Sequence, residues 1–111
     1  MKSKMDTYKT IKIPHLRFSV HFFDMSKLQG VEKKGSGYTC ILEDGSATVF
    51  IEDIEKSIKK MECVPIITHE IIHVIQIICE KYNMKIENEV EHMAYIVHYL
   101  LEELLTPNLN K

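Results

Sequence analysis

With 111 residues, 45% of them hydrophobic, the chain can bury one modest core but not two, so function has to share that core. The 14 Lys and Arg residues and 16 Asp and Glu residues leave a net charge of -2, with the lysines scattered. That charge pattern gives no basic footprint for nucleic acid, and no stretch of bilayer length is free of charge, which argues against a membrane span. Cys40, Cys63 and Cys79 have no short paired spacing, which points away from a disulfide framework or a cysteine zinc site and fits a reducing cytoplasm.

Residues 1–10 begin with a charged, polar stretch that has no apolar core of a secretory leader, and they read as a poorly ordered tail ahead of a single domain over 11–106, with 107–111 as a short C-terminal tail. From Ile11 to Asp24 apolar residues alternate, which predicts one or two strands interrupted at Pro14, the clearer one running from Leu16 to Phe23. Lys33-Lys34-Gly35-Ser36-Gly37 reads as a turn or loop, and Tyr38 to Leu42 as the next strand. Glu43-Asp44-Gly45-Ser46 is the clearest hairpin signal, because Asp-Gly accepts the positive φ of a tight turn. Ala47 to Ile51 follows as a third strand, and Ile54, Ile58 and Met61 then recur at helical spacing.

Pro65 suits the first turn of a helix, and the run from Ile66 to Tyr82 has neither Gly nor Pro before Asn83, a residue suited to a left-handed cap. A last helix is predicted from near Asn88 to about Leu105, stopped by Thr106-Pro107. The outline is an α+β domain, a small antiparallel sheet of about three strands packed on a central and a C-terminal helix.

Most of the central helix is apolar, but His69, His73, Gln76 and Glu80 follow spacings of three and four and share one narrow side, with Glu70 next to the first. In a buried or half-buried groove such groups cost free energy unless something satisfies them, and a metal ion with bound water would. Two histidines one turn apart can reach a common zinc ion at about 2.0–2.1 Å. Glu70, one residue past the first ligand, stands where a general base can take a proton from an attacking water. The bland alternative is that the stripe is the solvent face of an amphipathic helix.

A catalytic zinc usually has a third protein ligand. Gln76 and Cys79 occupy the positions where a metzincin extension needs glycine and histidine, so Cys79 reads as core. The following helix offers Glu87, Glu89, Glu91 and His92. Glu91 is the choice for the third ligand: it shares a face with Tyr95 and His98, beside an apolar stripe of Val90, Val97, Leu101 and Leu104. Asn88-Glu89-Val90-Glu91 equally fits a capping box. His98 and Tyr95 can steady Glu91 or stabilise a transition state, or simply pack, and His92 reads as a surface or partly packed histidine.

On His69-Glu70-Ile71-Ile72-His73 and Glu91-His92-Met93-Ala94-Tyr95 the chain resembles the gluzincin-type zincins, in the small form found in phage-associated and regulatory metallopeptidase-like proteins. The resemblance covers residues 47–105 and implies Zn²⁺ held by His69, His73 and Glu91, with Glu70 as base in hydrolysis of a peptide bond. It also implies an edge strand that takes up extended peptide, a place that Ala47-Thr48-Val49-Phe50-Ile51 would fill. The implied partner is a protein or peptide substrate. The alternative is a non-catalytic, zinc-binding interaction module. Oligomeric state is left open.

Overall fold

In a computed structural model, residues 7–27, 37–61 and 63–105 are described. Residues 1–6 of the expected N-terminal tail, 33–36 of the expected 33–37 loop, the Thr106-Pro107 stop and the 107–111 tail lie outside them, while Gly37, expected in the loop, opens a strand. Four strands, β1 (Lys9–Ile13), β2 (Phe18–Asp24), β3 (Gly37–Ile41) and β4 (Ala47–Ile51), precede three helices, α1 (Ile54–Lys60), α2 (Val64–Lys81) and α3 (Val90–Leu105). β1 starts inside the segment expected to be a tail, with Lys9 opposite Phe22.

The sheet order is β1-β2-β4-β3. β1 and β2 pair antiparallel, as do β3 and β4, while β2 and β4 run parallel. The expectation of about three antiparallel strands is therefore corrected to a mixed sheet of four. Local alternation predicts that a segment is a strand, but it carries no record of which distant strand lies beside it. The placing of Ala47–Ile51 at the edge is corrected too: β4 is flanked on both sides, and among the described residues the edges are β1 and β3, of which β3 is the one beside β4. The pattern agrees in retrospect, since β4 is apolar or β-branched at every position and buried at four of five, while no position of β3 is buried.

The β3–β4 hairpin closes as the Asp-Gly signal predicts. Gly45 has φ 91°, and the Asp44 carboxylate accepts the N–H of Ser46 at 2.9 Å and its hydroxyl at 2.6 Å. These bonds hold the Asp44 carboxyl below its ordinary value. At the far end of the sheet Asp24 accepts the N–H groups of Ser26 and Asp53, tying the end of β2 to the chain leaving β4.

One face of the sheet is apolar, with Ile11, Ile13, Phe18, Val20, Phe22, Ala47, Val49 and Ile51 buried. Helix α2 packs over β3 and β4, and α3 lies beside α2 over β1. Helix α2 contributes Ile67, Ile71, Val74, Ile75 and Ile78 to this core, and α3 contributes Met93, Ile96, Leu100 and Leu104. Pro65 lies in the first turn of α2. At its other end Asn83 takes φ 55°, the Met84 N–H reaches the Cys79 carbonyl at 2.8 Å, and the Asn83 N–H reaches that of Glu80 at 3.4 Å. This is a left-handed C-cap of the kind the sequence predicts there, with asparagine in the usual place of glycine. Among the described residues no single helix is long and apolar enough to cross a membrane.

Candidate functional site

Helix α2 turns by about 100° per residue, so groups two residues either side of a buried position emerge on the opposite face. His69 and His73 flank buried Ile71 in this way, and Gln76 and Glu80 flank buried Ile78. All four are exposed. This corrects the expectation of a buried or half-buried polar stripe: the apolar groups that the sequence supplies go to the sheet and α3, and the stripe is left facing outward. The two imidazoles meet edge to face with ring centres 5.0 Å apart. His73 Nδ1 lies 3.0 Å from Gln76 Oε1. A carbonyl oxygen only accepts, so this contact places the proton on Nδ1 and leaves the Nε2 lone pair free for a metal or a proton.

Glu70 behaves differently. At 6% exposure it is the buried carboxylate of α2, and its Oε1 accepts the Thr39 hydroxyl at 2.6 Å. The sheet register explains the contact. Thr39 lies opposite buried Val49 and Gly37 opposite buried Ile51, so both project to the face that α2 covers. Lacking a side chain, Gly37 lets the helix come close: a Cβ there would stand 2.9 Å from Ile66 Cγ2 and 3.0 Å from Glu70 Oε2. Sequence reading missed both Gly37 and Thr39. Their inward register is the signal that could have found them, but it depends on the β3–β4 pairing and on where α2 lies.

Edge strand and helix bound an open groove of about 550 Å³, with Thr39 and Tyr38 on one wall and His69, Glu70, His73 and Gln76 on the other. The structure thus brings three of the expected site residues together. It does not bring Glu91, Tyr95 or His98 to them. Glu91 and Tyr95 sit two residues either side of buried Met93, and His98 sits two before buried Leu100, so all three face away from the core. They line a separate cavity of about 450 Å³ with Tyr99 and Glu102. The expected apolar stripe of Val90, Val97, Leu101 and Leu104 is rotated in fact to Met93, Ile96, Leu100 and Leu104, which leaves Val90 59% exposed. Nor is the capping box formed: α3 starts at Val90, and Asn88 closes a preceding 3-10 turn with its N–H on the Lys85 carbonyl.

Neither a family model, nor a curated protein, nor a solved structure matches this chain. The chemistry of the site therefore rests on its own residues.

As donors, His69 and His73 suit a zinc ion in type and spacing, but they make a pair and not a full set. Among the described residues no three His, Cys, Asp or Glu side chains stand together as a metal-holding group. Cys79, two turns past His73, lies with its sulfur 3.9 Å from that of Met93, and burial, followed by the charge of Glu89, raises its thiol above the ordinary value. It packs between helices in the protonated form. Glu87 ends up in the 3-10 turn Ile86–Asn88, and Glu89 bonds to His92 at 3.3 Å.

Proposed function

We propose that the protein is a zinc-dependent, metallopeptidase-like protein that hydrolyses a peptide bond in an extended protein or peptide substrate. The observation that carries this reading is the burial of Glu70 between two outward-facing histidines, with its carboxylate fixed by a hydroxyl of the neighbouring edge strand. His69 and His73 would hold the ion, and Gln76 sets the tautomer of His73 that leaves a ring nitrogen free to bind it. When bound, zinc supplies a Lewis acid and makes water more acidic. Glu70 takes the proton of the attacking water and hands it to the leaving amine. Its bond to Thr39 holds the carboxylate against β3, whose outer edge has no partner strand among the described residues and would offer backbone N–H and C=O groups to a substrate strand. Glu91 is the third donor that the resemblance implies, but it faces outward on α3 and lines a cavity apart from His69 and His73, so the fourfold site would need another donor, from water or from the substrate.

A second reading, a non-catalytic zinc-binding interaction module, is favoured by the exposure of His69 and His73 and by the outward position of Glu91. One experiment separates the two. The full chain is purified with zinc, its metal content measured, and an unfolded protein offered as substrate. Catalysis predicts cleavage that falls at least about 100-fold in Glu70→Gln while bound zinc is unchanged. Bound zinc that is lost in His73→Ala, with no cleavage in either protein, selects the interaction module, and absence of zinc at the pair in the metal-replete protein overturns both.

A further inference from the structure

We infer that His15 and His92 form a second transition-metal site, separate from the α2 pair, which clips the turn between β1 and β2 to the first turn of α3. The two residues lie 77 positions apart, yet their Nε2 atoms approach to 2.6 Å, with ring centres 4.7 Å apart. Each ring is placed from its own side. His15 stands in the turn after Pro14, where Arg17 takes φ 53° and the Leu16 carbonyl accepts the Tyr82 hydroxyl of the α2 C-cap. His92 is oriented by Glu89, whose Oε1 lies 3.3 Å from Nδ1. A carboxylate only accepts, so the His92 proton is on Nδ1 and the Nε2 lone pair points at His15.

This is the carboxylate–histidine arrangement that prepares an imidazole for a metal, with the ligand nitrogen free and its basicity raised from behind. In the apo protein His15 fills the position by donating its own Nε2–H. A change of tautomer at His15 converts the hydrogen bond into two converging lone pairs. Two nitrogens bound tetrahedrally at about 2.0–2.1 Å stand ~3.3 Å apart, so the rings need to part by several tenths of an ångström. The exposed His15 side chain can supply that movement. Two imidazoles select zinc, nickel or copper over magnesium or calcium, and water completes the coordination. Because the donors come from opposite ends of the chain, the unfolded protein does not hold the site, and the ion stabilises only the native state.

The test titrates Ni²⁺ or Zn²⁺ into the full chain carrying His69→Ala and His73→Ala, which removes the α2 pair. The expected result is one equivalent of ion bound, with a melting temperature raised by on the order of 5 °C at saturating metal. Adding His15→Ala or His92→Ala weakens binding at least tenfold, and adding Glu89→Gln weakens it several-fold. His15→Asn, which can still donate to His92, serves with metal-free melts to show that the loss reflects a ligand and not unfolding. If the double variant melts cooperatively and binds no ion, or if its binding ignores both His15 and His92, the contact is a hydrogen bond only and the inference fails. That result leaves the α2 reading standing, and loss of zinc from the α2 pair alone leaves this one standing.

Discussion

Helices α2 and α3 carry the same outward pattern and put it to different use. His69, His73, Gln76 and Glu80 on α2 repeat the spacing of Glu91, Tyr95, His98 and Glu102 on α3, and each set lies two residues either side of a buried apolar pair. The residue after the first member reaches sideways in both helices: Glu70 to Thr39 of β3, and His92 to His15 at the opposite end of the sheet. Two similar stripes thus end up over opposite edges of one sheet, facing outward and apart. Spacing along a helix decides which side chains share a face. The rotation of the helix, set by its apolar residues, decides what that face meets.

The largest test of this comparison concerns that rotation. Ile96→Ala removes a fully buried side chain of α3 and is expected to cost about 2–5 kcal/mol in denaturant unfolding, whereas Val90→Ala is expected to stay within about 0.5 kcal/mol. The reverse ranking would mean that α3 is turned so that Glu91 faces inward. Where β3 meets α2, Gly37→Ala is expected to cost about 1–3 kcal/mol by crowding Ile66 and Glu70. Thr39→Val leaves the Glu70 carboxylate buried without its donor and is expected to cost a similar ~1–3 kcal/mol, while Thr39→Ser retains most of the stability. A Thr39→Val protein as stable as the parent would remove the link between Glu70 and the edge strand. Smaller in stability but sharper for function is a pair of metal titrations. His73→Ala is expected to weaken binding at the α2 pair at least tenfold, and Glu91→Gln to leave it unchanged. Equal losses would unite the two stripes in one centre.

The smallest effect is on pH. Hydrogen bonds from Ser46 lower the Asp44 carboxyl in the folded hairpin, so its contribution is present above the ordinary carboxylate value and disappears as pH falls through the lowered one. Ser46→Ala is expected to flatten that part of an acid unfolding profile slightly, and a steeper profile would contradict the assignment.

Most elements were legible in the sequence because their causes are local. Asp44-Gly45 marked its hairpin, Asn83 its cap, and the run from Ile66 to Tyr82 its helix, each within a residue or two of the observed bounds. The parallel pairing of β2 with β4 was not legible, because Val20 and Ala47 meet through tertiary packing alone. The same limit applied to the site. His69, Glu70 and His73 were visible as a motif on one helix, but Thr39 and Gly37 enter through strand register, and Glu91 turns on whether Val90 or Met93 faces the core. Both stripes of α3 are apolar enough to pack, so periodicity left two orientations open.

The packing of the last helix over the first strand has a consequence for how the chain acquires its structure. β1 and β2 are made first, but the apolar side chains of β1 stay without the cover that α3 gives them until Ile96, Leu100 and Leu104 have been made. The β3–β4 hairpin and α2 can associate before that, yet the core closes only when β1 and α3 are both present. Release of the nascent chain short of Leu100 should give a collapsed, aggregation-prone species instead of a smaller native domain. Proteolytic protection of ribosome-bound chains, measured against length, should therefore rise in one late step, and an early plateau would show that the sheet is stable without α3.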